Sequence, residues 1–447
     1  MNTGTIRLRF LPRKNRHMKK NFPASFVPLL ASACSFLLFP ACSGPAEKID
    51  QPGTDSLQAS TFLFLSDIHL NTFDSATEYG EDTGLQLWKN FLAKADSILS
   101  ATDAPQFIIY TGDLPAHYPC DSSCYLAPGD RETHNANLKA ILEGLRALAD
   151  KCKKPLFYLP GNNDGLAGDY YSFADEKQQT PFSLVPDGKN PFPALNMQPG
   201  NKAPCMVDNP HPAMGYYSAK PVEGLRLVAL NTVIFSRNFD AVDGTAPDAD
   251  REEEMEWLAA QLKDASAKNE KVYIAMHIPP GLDAYSGKSM WTDKPLKNGT
   301  LLNNFLALTT KYRSSIAGIL YGHTHMDELR RLYDTTGTTV TEVALCCPGV
   351  TPQHNNNPGF KVVSYQPQSK ELLDFTTYYT RPQNAYWGAG TYTFSSAFGC
   401  GKTCHLFETF GAMPLAKAAA CMDSIFTVKN GPAGYDISRG IEVKPGQ

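Results

Sequence analysis

The chain has 447 residues, 42% hydrophobic and 19% charged, with Gly 33 and Pro 33. That composition excludes a disordered, collagenous or coiled-coil protein and supplies apolar material for one large domain with attachments. Net charge is -4, but residues 1–20 hold seven Lys/Arg and no acid; subtracting those seven leaves -11 for the rest, which argues against a nucleic-acid surface.

Residues 21–41 are uncharged and mostly apolar behind the basic stretch His17-Met18-Lys19-Lys20, the layout of a secretory signal peptide over residues 1–41, with Met18 as an alternative start. Pro23, Pro28 and Pro40 make this run a poor membrane-spanning helix. Phe39-Pro40-Ala41-Cys42 resembles a bacterial lipoprotein processing site; lipidation would attach the chain to a membrane through Cys42, and plain cleavage is the alternative. Residues 42–60 read as a tether. Nine cysteines follow: Cys120, Cys124, Cys152, Cys205, Cys346, Cys347, Cys400, Cys404 and Cys421. In an exported chain the C-x3-C pairs Cys120/Cys124 and Cys400/Cys404 read as local disulfides, with zinc ligation as the other reading. The adjacent Cys346 and Cys347 read as buried thiols or members of separate disulfides before they read as redox chemistry.

The body alternates strand and helix. Strands are expected at Thr61–Ser66, Gln106–Thr111, Pro155–Leu159, Leu225–Leu230, Lys271–Met276 and Ile316–Tyr321, then at Thr338–Ala344, Phe360–Tyr365 and Glu371–Tyr379. Helices are expected over Leu85–Leu99, His134–Asp150 and Asp250–Lys268. This is an α/β layer architecture, with strands covered by helices. Residues 164–215, rich in Pro, Gly and Asn, read as a lid-like insertion in a catalytic domain over 61–380. Residues 381–447 read as a C-terminal extension with a short helix at Leu415–Ile425.

Hard metal-ligand types stand at the ends of five strands, where sites of open α/β sheets gather. Ser66-Asp67-Ile68-His69 follows the first, Gly112-Asp113 the second, and Gly161-Asn162-Asn163-Asp164 the third. His277 and Gly322-His323-Thr324-His325 follow two later ones. Alternate residues of an extended segment point the same way, so Asp67 with His69, and His323 with His325, can face one centre. Glycines beside them let the backbone turn. Singly, each has a bland reading as a turn, a cap or a surface histidine; five in order do not.

In this order the motifs resemble the calcineurin-like metallophosphoesterases, and most closely the acid sphingomyelinase-like phosphodiesterases. Thr111-Gly112-Asp113-Leu114-Pro115-Ala116-His117, Leu230-Asn231-Thr232, His277-Ile278-Pro279-Pro280-Gly281 and Asn357-Pro358-Gly359-Phe360 carry the closer likeness. The resemblance implies a four-layer α-β-β-α sandwich and two divalent metal ions, zinc before others. Asp67, His69, Asp113 and His325 would hold one ion, and Asp113, Asn162, His277 and His323 the other. It implies hydrolysis by in-line attack of a metal-bridging hydroxide. Asn163 stands where the family has a histidine that assists the leaving group; an amide can donate a hydrogen bond but transfers no proton near neutral pH. His117 is then the expected general acid, or a phosphate contact, with loop orientation as its bland role. His354 is a candidate substrate contact or a loop-surface group.

The expected function is an exported, metal-dependent phosphodiesterase. Acid sphingomyelinases carry a saposin-type module ahead of the catalytic domain, and the 18 residues between Cys42 and Thr61 leave no room for one. Nucleotide or phosphocholine-type esters are therefore expected before a bilayer lipid, although attachment through Cys42 would bring a sphingomyelin-like headgroup within reach. A phosphomonoesterase or nucleotidase on the same centre is the second reading. A non-catalytic surface lipoprotein that holds a phosphate ligand is the third.

Overall fold

The structure is a computed structural model that describes residues 59–118, 126–185, 206–384, 386–387, 390–401, 404–425 and 435–447. The expected signal peptide, Cys42, most of the tether, and Cys120, Cys124 and Cys205 lie outside the described residues, as does the middle of the expected lid. No helix among the described residues is long and apolar enough to cross a membrane.

The strands, in chain order, begin with β1 (Ser60–Leu65), β2 (Ile108–Tyr110), β3 (Leu156–Tyr158), β4 (Met206–Asp208), β5 (Tyr217–Val222), β6 (Leu225–Ala229) and β7 (Lys271–Ala275). They continue with β8 (Ile316–Tyr321), β9 (Leu329–Tyr333), β10 (Val340–Cys346), β11 (Gly359–Tyr365), β12 (Leu372–Tyr379), β13 (Gly390–Thr393) and β14 (Glu442–Val443). The helices are α1 (Leu85–Leu99), α2 (Pro128–Cys152), α3 (Asp248–Ala267), α4 (Leu301–Tyr312), α5 (Phe394–Phe398), α6 (Leu406–Ala412), α7 (Leu415–Ile425) and α8 (Ile437–Ile441).

Two mixed sheets form, ordered β13-β12-β11-β1-β2-β3 and β14-β9-β10-β8-β7-β6-β5-β4. They pack face to face: the Phe62 ring of β1 lies 5.7 Å from Tyr273 of β7, and Leu372 of β12 closes on Gly318 of β8. Alternation turns the other face of each sheet toward helices. Phe91 of α1 stands edge-on to Phe360 of β11 at 5.4 Å, and Trp88 packs against Gly144 of α2. Leu258 and Leu262 of α3 and Leu302 and Phe305 of α4 join Ile274 and Ile319 in the second core. The layers are thus α-β-β-α. Because β1–β2–β3 and β6–β7–β8–β10 run parallel, the segments after β1, β2, β3, β7 and β8 collect on one rim.

The tail is built into both sheets. It adds β13 to an edge of the first and β14 to an edge of the second, while Cys400 and Cys404 form the expected disulfide. A fully buried Lys361 on β11 fastens the assembly; its Nζ donates to Asp327 at 2.6 Å and to Thr377 at 2.7 Å, and Tyr392 of β13 donates to the same carboxylate. Cys346 and Cys347 are buried thiols. Helix α4 was not expected. Thr300 caps it, its hydroxyl accepting from the Asn303 amide at 3.3 Å.

One buried acid makes stability depend on pH. Glu254 of α3 is fully buried, and its carboxylate accepts from the Asn231 amide at 2.7 Å after β6. Burial pushes its pKa up from 4.5 to about 8. A raised acid stabilises the fold below its unfolded pKa and loses that contribution as pH rises through its folded value, so stability should fall between about pH 4.5 and about pH 8. The loss is on the order of 3–5 kcal/mol. Glu254→Gln should match the parent's Tm at the acid end of this range and exceed it by several degrees at the alkaline end. An equal fall in both proteins would place the titrating group elsewhere.

Candidate metal centre

The parallel strands deliver the expected ligands through strained turns. Asp67, His69, Asp113, His323 and His325 all have positive φ, from 45° to 72°. A side chain in that region costs roughly 1–3 kcal/mol, a strain that recurs at functional sites. The neighbouring glycines serve close approach as well as turning. A Cβ at Gly322 would lie 1.9 Å from Ser66 Oγ and 2.9 Å from Asp67 Oδ2, and one at Gly161 would lie 2.2 Å from Asp113 Oδ1. Any side chain there would displace a carboxylate.

All seven expected ligands converge. Asp113 Oδ2 lies 3.2 Å from Nε2 of His69 and 3.2 Å from Nε2 of His277, on either side of it. Beyond His69, His325 Nε2 is 3.2 Å from His69 Nε2 and 3.3 Å from Asp67 Oδ1. Beyond His277, Asn162 Oδ1 is 3.0 Å from His277 Nε2 and 2.9 Å from His323 Nδ1. Two groups of donors thus share one carboxylate: Asp67, His69, Asp113 and His325, and Asp113, His277 and His323 with Asn162 beside them.

Surrounding contacts fix which atom each ligand presents. His69 Nδ1 faces the Pro115 carbonyl at 3.0 Å and His277 Nδ1 the Thr111 carbonyl at 2.6 Å; a carbonyl only accepts, so each Nδ1 carries a proton and each Nε2 is the atom turned toward the centre. The Asn162 amide donates to Asp169 at 2.7 Å, which turns its oxygen inward. Ser66 and the His323 backbone amide donate to Asp67. Asp164 accepts from the amides of Asp113, Leu114 and Gly161 and from the Tyr158 hydroxyl, holding the turns after β2 and β3 together.

Electrostatics mark the centre as cation-seeking. Burial draws the His69 and His277 imidazoles down, but the Asp113 carboxylate more than offsets it and holds each at about 9. Burial opposes ionisation of Asp113, yet His277 and His69 keep its pKa well below the ordinary range. His323, packed among these groups, is pushed down by burial to about 3. Carboxylate, amide and imidazole acceptors facing one another at about 3 Å repel unless protons or cations lie between them. Their chemistry fits borderline divalent ions.

The remaining expected residues separate. His117 stacks on His69 with ring centroids 3.8 Å apart, and Asp82 holds it twice: its carboxylate accepts from the His117 backbone amide at 2.7 Å and from Nδ1 at 2.8 Å. Asn163 turns inward instead. Its backbone amide donates to Asp113 Oδ1 at 2.8 Å and its side chain to Oδ2 at 3.2 Å, so it braces that carboxylate. His354 packs edge-on to His325 at 4.5 Å and meets the Tyr285 hydroxyl at 3.2 Å; it belongs to the cavity wall.

A cavity of about 520 Å³ opens on the cluster, lined by Asp113, His117, Asn162, His323, His325 and His354 at its base. Arg237, Asp283, Tyr285, Lys288 and Tyr435 form the outer wall. Sequence reasoning missed Asp82, Asp169 and this outer wall. Tyr435 comes from the tail, where the Asp436 amide donates to the Ala284 carbonyl and Arg439 to the Tyr285 carbonyl.

A family model described as calcineurin-like phosphoesterase matches residues 60–327. The chain is 30% identical over 297 residues to the cyclic GMP-AMP phosphodiesterase SMPDL3A of Mus musculus, covering 64% of this chain and 60% of that protein. It is 27% identical over 303 residues to acid sphingomyelinase-like phosphodiesterase 3b of Mus musculus, covering 63% and 58%. Sphingomyelinase phosphodiesterase D of Dictyostelium discoideum is 27% identical over 361 residues, covering 78% and 72%. The matched region thus spans about 60% of the length of the two mouse relatives.

Proposed function

Since the chain belongs to the calcineurin-like phosphoesterase family, we propose that it is an exported, metal-dependent phosphodiesterase acting on a nucleotide, phosphocholine-type or sphingomyelin-like ester. The observation that carries this is the Asp113 carboxylate, whose Oδ2 stands 3.2 Å from an imidazole of each donor group. Asp67, His69, Asp113 and His325 would hold one ion and Asp113, Asn162, His277 and His323 the other, with zinc the favoured metal. Two such ions, when bound, supply Lewis-acid polarisation of the phosphoryl oxygens and an acidified attacking water.

The chain's own groups do the rest. His117, oriented by Asp82, gives its Nε2 proton to the departing oxygen. His354 and Tyr285 line the same cavity and would be within reach of a bound ester. The outer wall leaves room for a second ester substituent, which favours a diester over a monoester. The names of two relatives, for cyclic GMP-AMP and for sphingomyelin, agree with a diester.

Hydrolysis of bis(p-nitrophenyl) phosphate, with the monoester beside it, tests the reading before chelation, after it, and after zinc is restored. Chelator-sensitive turnover that favours the diester supports it. Monoester preference would select the nucleotidase reading, and tight phosphate binding without turnover the receptor reading. Cell fractionation of the chain beside Cys42→Ser tests export and attachment. Asn163→Ala leaves Asp113 short of one donor and should weaken metal retention by about 10–100-fold, the usual effect of losing a ligand's hydrogen-bond partner. Competition with a chromogenic chelator reads this, and unchanged retention would remove Asn163 from the centre's support.

A further inference from the structure

β8 and β10 run parallel but pair only from Ile319 opposite Ala344 onward. Their N-terminal ends splay, and a second cavity of about 420 Å³ opens between them and α6. It lies at the far end of the strands from the metal centre, because Lys271 and Ile316 begin β7 and β8 whereas His277 and His323 follow them. Leu372, Leu406 and Phe407 give it apolar walls, and Phe407 is 37% exposed at the rim.

Glu342 enters this cavity from β10, where the register against β9 shifts between Val340 and Glu342. Such an irregularity re-aims a side chain. Glu342 is only 7% exposed and has no hydrogen-bond partner among the described residues. Lys271 and Arg313 line the same cavity and act on Glu342 through their charge, but neither forms an ion pair with it among the described residues: Lys271 Nζ is engaged by the Ser314 carbonyl at 2.7 Å, and Arg313 is exposed. Burial pushes the Glu342 carboxyl well above its ordinary range, as expected of an acid without a donor. A carboxyl held at this low exposure without a protein donor is costly unless water or a ligand meets it. Here it faces an open volume of small-molecule size, lined by Leu372, Leu406 and Phe407 and also by the acids Glu371 and Glu408.

We propose that this cavity binds an amphiphilic amine, whose ammonium group pairs with Glu342 while its apolar body lies along Leu372, Leu406 and Phe407. Charge complementarity selects the head group, and the walls select the body. The site is independent of the metal centre and of the reaction proposed there.

Calorimetric titration of the full-length protein with hexylammonium, and with hexanoate and hexanol beside it, tests the assignment. Hexylammonium should bind at least about tenfold more tightly than either analogue, the worth of one charge-assisted hydrogen bond. Glu342→Gln, of nearly the same shape, should weaken it by a similar factor while phosphodiester turnover stays unchanged. Leu406→Trp, which fills the cavity without altering the carboxyl, should also abolish binding. Equal affinity in Glu342→Gln or Leu406→Trp, preference for hexanoate, or no binding of the amine would each overturn the proposal.

Discussion

Asp113→Asn is expected to lower turnover of bis(p-nitrophenyl) phosphate by at least about a thousandfold, the largest effect of any single change in the chain. The substitution is nearly isosteric, so the fold should survive. What disappears is the negative charge nearest to both His69 and His277, at 3.2 Å from each against 4.0 Å for Asp67. An amide in its place presents one oxygen where two donor groups need a shared carboxylate, and a neutral one at that. Metal content should fall from about two ions per chain to one or fewer. Elemental analysis after dialysis reads the stoichiometry, and circular dichroism checks the fold. A variant that keeps two ions and near-parental turnover would dismiss the shared-carboxylate centre. Asp169→Asn is the matched control. Asp169 also lines the cavity, but it touches the centre only through the Asn162 amide, so its loss should cost far less.

The ligands were legible before any fold was known because their chemistry is tied to strand ends. A buried parallel strand reads as an apolar run, and the first polar residues after it fall on the rim that parallel strands share. Asp67, Asp113, Asn162, His277 and His323 each stand within a few residues of such a run. Residues that act through another side chain left no such trace. Asp82 precedes α1 in a loop of acids and small residues, and its role depends on His117 folding back across 35 positions. Asp169 lies in a stretch with no periodicity.

Buried charge left no trace either. Lys361 and Arg330 are fully buried because carboxylates and carbonyls distant from them or beside them in the chain meet their charged ends, and nothing in the local sequence signals those partners. The tail was read as an appendage, since strands of four and two residues are too short for an alternating pattern to register. Helix α4 is a different case. Its apolar spacing and Thr300 cap were present in the sequence, between two strands that drew the reading away.

The leaving-group step can be separated from the metal centre by the choice of ester. His117 is 30% exposed toward the cavity, and Asp82 accepts from its Nδ1 at 2.8 Å, so Nε2 is the atom free to meet a departing oxygen. A p-nitrophenolate departs without help; an alkoxide does not. His117→Ala should therefore change turnover of bis(p-nitrophenyl) phosphate by only a few-fold, yet lower turnover of an alkyl phosphodiester by about 10²–10⁴-fold, the range for a lost general acid. Asp82→Asn keeps an oxygen that can accept from Nδ1 but removes the charge behind it. Its effect should follow the same dependence on leaving group at smaller size, which a purely structural role would not produce. Because His117 also stands within reach of His69 and His325, it could instead be a metal ligand. Metal content decides between the two: it should be unchanged in His117→Ala. Lost metal, or an equal loss on both esters, would move His117 from acid to ligand, and the Asn163 amide, committed to Asp113, would not take its place.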